Sequence, residues 1–468
     1  MELPKGYSFV AAATLFRNYG GLVMYIRYRK SNKDIYIKDS GKNHIWYVCP
    51  DREIVMVRDA FNNEAFRPNE SFDECVDLNT FRDELGDHMG MKYWMTNFTH
   101  DGICDTNRDA VPEEDKRVQI LSDSGGLQLA RGVSGMIHPK DLVSFYNKNC
   151  DAGMVLDLPL WVKDEKLLKR AAKLQRANNN VMLNNSRPGL ELINIFHGNS
   201  VEERKMYRNI VEDERIPRVA IGGLLMQKPL TAINSVYEIV YGGSFRYRQH
   251  HALGVFNMAY LALLIKMANS GDNPPHITSD STSHVQSSLS TCYYLQPPDE
   301  QHIMMRRPIG TNAEAISNPH MRLTCCCPVC SRIKYRDVFA FGHNRFNGFL
   351  ALHNAFEMTR YTQSLQHACQ TLSPSKFNKY VLTQMKNAND KDDLRMGLEF
   401  VDYATQHGLK KAQARYASHL HNWKRAEHAG ASLFSEMESE EKKGTQEELY
   451  KRTMATLITM ENQIKEKK

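Results

Sequence analysis

The sequence has no long apolar run. No segment of its 468 residues approaches the ~20 consecutive apolar residues that a membrane-spanning helix needs, so neither a membrane span nor a membrane partner is expected. The marks of an export signal are also missing: the short apolar run from Phe9 to Leu15 is interrupted at once by Arg17 and Asn18. A cytoplasmic setting is therefore expected, and in a reducing compartment clustered cysteines are more readily metal ligands than disulfides. Charge of one sign hardly dominates. Sixty Lys and Arg against 54 Asp and Glu leave a formal +6, which suits a nucleic-acid partner without requiring one. No short-period internal repeat is visible. What is present is 42% hydrophobic content over a length that allows two to three domains, or one large barrel with an appendage.

From about residue 90 the chain becomes regular. Short apolar or β-branched runs end in a polar residue or glycine, and each is followed by a longer helical stretch. The runs are Tyr93–Asn97, Val118–Ser122, Gly153–Leu156, Leu192–Phe196, Arg218–Ile221, His251–Val255 and His276–Ser279. Their spacing is that of βα units, whose parallel strands need such crossovers. Seven visible units, with an eighth near the N-terminus, favour an α/β fold of the (β/α)8 TIM-barrel class over an open doubly wound sheet. Before residue 90 the pattern is mixed, with strand-like runs at Ile45–Cys49 and Ile54–Val57. After about residue 355 helices dominate, at Ala355–Thr362, Phe377–Lys386, Asp393–Tyr403, Leu409–His428 and Thr453–Lys468. The expected division is a barrel over 1–360, with an inserted zinc subdomain over about 320–360, and a helical C-terminal extension over 361–468.

Active sites of such barrels form where the strands end. Asp123 follows Val-Gln-Ile-Leu-Ser, Asp157 follows Gly-Met-Val-Leu, His197 follows Asn-Ile-Phe, and Asp280 follows His-Ile-Thr-Ser. Each aspartate has a competing role as cap of the next helix, and His197 as a hydrogen-bonded core residue. Three carboxylates on one mouth would repel unless a substrate or proton offsets them. The glycine pairs Gly125-Gly126 and Gly222-Gly223 let backbone approach a flat ligand closely and free main-chain N–H groups. Neither pair is followed by the Lys-Ser/Thr of a phosphate loop.

Cys325-x-Cys327-x2-Cys330, followed downstream by a histidine, is a metal signal. Three thiolates within six residues wrap one side of a tetrahedral Zn2+ and one imidazole closes it, leaving no open position for water; such a zinc is structural. His343 and His353 are both candidates for the imidazole. His353 fits better because Phe349–Phe356 reads as a helix, and Cys326 is read as a bystander.

Taken in order, Asp123-Ser124-Gly125-Gly126-x-Gln128, Ile221-Gly222-Gly223-Leu224, Gly254-Val255, the Cys-x-Cys-x2-Cys cluster and His353-Asn354 resemble the tRNA-guanine transglycosylase superfamily. The resemblance spans roughly residues 90 to 360. It implies exchange of guanine in a polynucleotide for a 7-deazaguanine base, without a redox cofactor and without backbone cleavage. Asp280 would be the nucleophile at C1′ and Asp123 the general acid/base, dividing the work as in retaining glycosidases. The resemblance assigns base binding to Ser124, Asp157, His197, Gly223, Leu224, Leu253 and Gly254. At position 197 histidine stands where the family usually has glutamine. The metal set would be Cys325, Cys327, Cys330 and His353.

The departures concern the handling of tRNA. Thr278-Ser279-Asp280-Ser281-Thr282-Ser283-His284 lacks the family's Phe-Asp-Cys and the following Pro-Thr-Arg, and Leu225-Met226-Gln227-Lys228 replaces the Ala-Val-Gly-Glu of bacterial tRNA enzymes. That profile is similar to the relatives that insert 7-deazaguanines into DNA in bacteria and phages. DNA is thus the expected polymer, with a tRNA enzyme or a non-catalytic nucleic-acid-binding paralogue as the alternatives. A partner protein that opens the duplex is expected, because extruding a paired guanine costs a few kcal/mol. A homodimer, the state of the family's tRNA enzymes, is one expected assembly. Phosphate-tracking candidates are Arg306, Arg307, Arg322, Arg332, Lys334 and Arg336 around the cysteines. A second basic stretch, Lys410, Lys411, Arg415, His419, Lys424 and Arg425, has Tyr416 and Trp423 interleaved, either as rings for an unstacked base or packed inward beneath a solvated helix face.

Overall fold

The computed structural model describes most of residues 119–281, together with 343–384, 391–420 and 446–465 and the backbone of strands outside these ranges. Within 119–281, residues 127–128, 130–136, 160–163, 199, 225–226, 244 and 256–257 are not described. The first strand is β1 (Tyr7–Ala12). A separate four-stranded sheet follows, made of β2 (Ile26–Arg29), β3 (Asp34–Ile37), β4 (Ile45–Val48) and β5 (Ile54–Val57). Next come β6 (Tyr93–Asn97), β7 (Gln119–Asp123), β8 (Ala152–Met154), β9 (Glu191–Phe196), β10 (Arg218–Ile221), β11 (Gln249–Ala252) and β12 (Ile277–Ser281).

β7 to β12 form a curled parallel sheet, each strand pairing with the next in the sequence. β6 pairs with β7 at one end, β1 pairs with β12 at the other, and β1 and β6 pair with each other, which closes the sheet into a barrel. Each of the seven runs read from the sequence overlaps a strand of this ring, the run His251–Val255 only at its first two residues, and β1 is the eighth member. A parallel sheet requires crossovers, and five described helices supply them: α1 (Pro139–Asn149), α2 (Glu165–Asn185), α3 (Val201–Val211), α4 (Pro229–Tyr241) and α5 (Met258–Ala268). Their starts are written locally. Asp164 caps α2 by accepting from Leu167 N, Ser200 caps α3 by accepting from Glu203 N, and prolines open α1 and α4.

The C-terminal helices are α6 (His343–Thr371), α7 (Pro374–Gln384), α8 (Lys391–His407), α9 (Leu409–Arg415) and α10 (Gln446–Lys465). The division expected at residue 360 falls inside α6, which runs through it without a break. Nor do these helices stand apart from the barrel: α8 packs on α4 and α5, and α10 on α2. Asp393 accepts from Leu230 N at 2.8 Å, the half-exposed Arg170 forks onto Glu461, and the buried Lys266 ammonium reaches Asp402 at 2.8 Å. Burial pulls the Lys266 pKa down, and the Asp402 carboxylate works against that fall. Leu457 and Met460 of α10 belong to the same core as Leu121, Met154 and Ile195 of the barrel strands. No described helix is long and apolar enough to cross a membrane. A hairpin of β13 (Cys292–Leu295) and β14 (Met305–Pro308) rests on α6 through β13.

Candidate active site

Every polar residue singled out at a strand end lies at the same end of the ring, and the strands carry them there by register. Asp280 is the fourth residue of β12, beside Val10 of β1, and is 6% exposed. Its Oδ1 accepts from Gly254 N at 2.6 Å and lies 3.1 Å from His251 Nε2. Its other oxygen takes no hydrogen bond from the described residues. Gly254, just past β11, has φ 68°, and a Cβ there would meet nothing within 4 Å. Its amide is thus committed to the Asp280 carboxylate, while Leu253 N is committed to Ile221 O at 3.1 Å. Of the two residues expected on one side of the base, neither has its amide to spare.

Asp157, 5% exposed, lies three residues past β8 and is held through both oxygens. Ser124 Oγ donates to Oδ1 at 2.5 Å, and His197 Nε2 lies 2.6 Å from Oδ2. Ser124 Oγ also accepts from Gly126 N at 3.0 Å, at the start of the helical turn after β7. The two glycine pairs fit around this unit. A Cβ on Gly126 would stand 2.5 Å from Asp157 O and Oδ1, and one on Gly222 would stand 2.8 Å from His197 Nδ1. The partner glycines, Gly125 and Gly223, sit at φ 78° and 71°, where side chains are strained. The sequence reading gave both pairs to a ligand. In the structure one glycine of each pair is required by the close approach of Asp157 or His197. Gly223 is the exposed member, and Leu224 behind it is buried, lining a small apolar cavity with Val236, Val255 and Leu263.

Arg204 of α3, 2% exposed, supports the second pair by donating to Gly222 O at 3.0 Å. With the Gln227 amide oriented to satisfy both its ends, the Gln227 oxygen accepts from Arg204 Nη1 at 2.6 Å and Nη2 at 3.0 Å. Burial lowers the guanidinium pKa to about 10, which leaves it charged at neutral pH.

Asp123 ends β7, half-buried, and its Oδ1 accepts from Ser124 N at 2.8 Å. Round the ring it stands three strands from Asp280, across β6 and β1. Beneath it lies Tyr146 of α1, fully buried, whose hydroxyl donates to Met154 O at 2.9 Å and more weakly to Asp123 O at 3.3 Å. Burial, reinforced by the Asp123 charge, holds the phenol pKa far above its usual value, so it stays a donor. The capping role that competes for these aspartates is filled by others after β8 and β9, where Asp164 and Ser200 cap the helices. Two of the three carboxylates are paired with an imidazole by hydrogen bond: Asp157 with His197 and Asp280 with His251.

Gly153 shows how tightly this end is set. A Cβ there would stand 2.1 Å from Tyr146 Cδ2. Gly153→Ala is expected to push the ring off β8 and destabilise the protein by roughly 1–3 kcal/mol. A urea titration reads this directly, and an unchanged midpoint would mean that the ring moves aside at no cost.

Cys325, Cys327 and Cys330 lie outside the described residues, as do the side chains of His343 and of the arginines at 306, 307, 322, 332 and 336. His353 is 1% exposed, and its Nε2 lies 2.8 Å from Tyr294 O. Its neighbour Asn354 donates to Cys292 O at 3.0 Å and accepts from Tyr294 N at 2.8 Å, so the His-Asn pair grips β13. Among the described residues no three His, Cys, Asp or Glu side chains gather into a metal site. Of the two readings of Tyr416 the inward one holds: the ring is 7% exposed and packs edge-on against Phe400, while Arg415 lies over Tyr403 at 4.5 Å.

Two participants were not singled out in the sequence. Arg204 sits in a helix that reads as ordinary and charged. His251 carried a signal of sorts, as a polar residue inside a strand in line with Thr278 and Asp280 of the next. No family model matches the chain, and no curated protein matches it.

Proposed function

We propose that the chain is a base-exchange transglycosylase on a (β/α)8 barrel, replacing guanine in DNA by a 7-deazaguanine through a covalent glycosyl–Asp280 intermediate. One observation carries the reading: Asp280 is pinned through a single oxygen by Gly254 N and His251, and its second oxygen is unengaged among the described residues. A carboxylate so held is oriented for attack rather than for structure.

In the first step the free oxygen of Asp280 attacks C1′ and the bond to guanine N9 breaks. Asp123, three strands round the ring, supplies the proton that the departing base takes up. In the second step the incoming base returns a proton to Asp123 and attacks C1′, and the Asp280 carboxylate leaves. The Asp157 oxygens, each already accepting one hydrogen bond, retain lone pairs for ring N–H groups of the base. His197 and Ser124 keep that carboxylate in place, and exposed Gly223 offers main chain to the ring edge. Zinc, bound by Cys325, Cys327, Cys330 and His353, would serve as a structural tie. The altered segments around Asp280 and Lys228 favour DNA over tRNA.

The test is incorporation of labelled guanine or 7-deazaguanine into acid-precipitable DNA or tRNA by wild type, Asp280→Ala and Asp123→Ala. Label in DNA that disappears with Asp280→Ala is the expected result. Label in tRNA alone would keep the chemistry and overturn the polymer. Label in neither, from folded protein with zinc bound, would favour the non-catalytic reading.

A further inference from the structure

Asp280 is not held by backbone alone. His251, 1% exposed, lies between two side chains of the neighbouring strand: its Nδ1 is 2.8 Å from Thr278 Oγ1 and its Nε2 is 3.1 Å from Asp280 Oδ1. Thr278 and Asp280 are two residues apart on β12, so they share a face, as Gln249 and His251 do on β11. Gln249 Nε2 donates to Thr278 Oγ1 at 3.3 Å, completing a row of four polar side chains across two strands. We propose that His251 is a positioning residue for Asp280, held as the neutral Nε2–H tautomer so that it donates to Oδ1 and leaves the other oxygen to react. The role assigned to Asp280 rests on the transglycosylase reading; the tautomer does not.

The tautomer follows from hydrogen bookkeeping along the row. The Thr278 hydroxyl already accepts from Gln249, and its one hydrogen has two places to go: His251 Nδ1 at 2.8 Å or His250 O at 3.5 Å. The first is a good hydrogen bond and the second sits at the limit of one. A hydroxyl that donates to Nδ1 makes Nδ1 the acceptor, and the ring proton then belongs on Nε2, facing the carboxylate. The consequence is chemical. A neutral donor fixes the carboxylate without cancelling the charge it needs as a nucleophile. In the glycosyl ester Oδ1 is the carbonyl oxygen and still accepts. When the ester breaks, the same N–H stabilises the carboxylate that leaves. His251 touches neither base nor sugar in this scheme and acts only through Asp280.

The proposal is tested in two independent ways. Nitrogen NMR of protein labelled at histidine, with His251 assigned by its loss in His251→Gln, is expected to show the Nε2–H tautomer in the wild type at neutral pH. Thr278→Val is expected to release that preference. An Nδ1–H tautomer or an imidazolium in the wild type would overturn the proposal, whatever the enzyme does. In base-exchange kinetics, His251→Leu is expected to lower kcat about 30-fold with the KM for the free base unchanged, and His251→Gln, which supplies one N–H, to recover most of the loss. Equal losses in the two variants, or a loss carried by KM, would overturn it. If the wild type exchanges no base on any polymer, the functional reading fails, and the NMR result still decides the pairing of His251 with Asp280.

Discussion

Asp280→Asn is expected to lower the base-exchange rate by about 10⁴-fold or more while leaving the fold intact. The substitution is almost isosteric, and its amide oxygen still accepts from Gly254 N and His251, the two donors that hold the native carboxylate at 2.6 and 3.1 Å. What disappears is the charge and the nucleophilic second oxygen. Stability and affinity for the free base should therefore stay close to wild type while chemistry is lost. The intermediate gives a sharper readout than turnover. Wild-type protein mixed with DNA in the absence of a replacement base should form a covalent adduct that survives denaturing electrophoresis, and Asp280→Asn should form none. Asp123→Asn differs in kind. It removes a proton donor rather than a bond-forming atom, and its expected loss is smaller, about 10²–10⁴-fold. An Asp280→Asn protein that still traps DNA would show that another side chain forms the bond.

The ring of strands was legible wherever apolar runs carried it, because a strand covered on both faces writes its burial into consecutive residues. β11 was the difficult case. The apolar reading placed it at His251–Val255, but the ladder runs over Gln249–Ala252, three of whose four residues are Gln or His. Those side chains are buried because Thr278 and Asp280 of the next strand receive two of them, a fact about tertiary neighbours that no local pattern contains. β1 was expected near the N-terminus but not placed: no regular βα spacing surrounds it, and its partners are β12, some 270 residues away, and β6. The helices after residue 355 were legible as helices, and one of them, α6, runs across the division placed at 360. A long helix of low amphipathic contrast shows no local sign of where the barrel's own contacts end and the extension's begin.

At the site, chemistry was legible and geometry was not. Asp123, Asp157, His197 and Asp280 were found because a polar residue after an apolar run is conspicuous. That Asp157 and His197 bind each other, and that Gly126 and Gly222 are small to admit them, required the fold. His251 could have been found by placing β11 and β12 side by side, since a histidine in line with a carboxylate on the adjacent strand is a pair that the pleat brings together. Arg204 offered no comparable sign, because its partner Gly222 O is main chain.

Between neutral pH and pH 4 the wild type is expected to lose about 3 kcal/mol of stability through His250 alone. This residue lies next to His251 on the opposite face of β11, 3% exposed, with its ring edge-on to Tyr247 at 6.0 Å. Neither ring nitrogen finds a hydrogen-bond partner among the described residues. Burial disfavours the imidazolium and lowers the pKa to about 4, an effect that the nearby His276 main chain offsets only in part. The unfolded chain, with the ordinary value near 6.5, binds a proton more readily than the folded one. The stabilisation is therefore complete above pH 6.5 and is lost as pH falls toward 4. His250→Leu binds no proton in either state. Urea titrations of the two proteins at pH 7.5 and 4.5 should show the wild type falling further than the variant by most of that 3 kcal/mol. Parallel losses in the two proteins would mean that the folded state accommodates the charged ring. The position of His250 ties this to the site, because the strand that must open to admit the proton also carries His251 and leads into Gly254, the two groups that hold Asp280. Acid should accordingly weaken the grip on the nucleophile before the barrel as a whole unfolds, and covalent trapping should fade at a higher pH in the wild type than in His250→Leu.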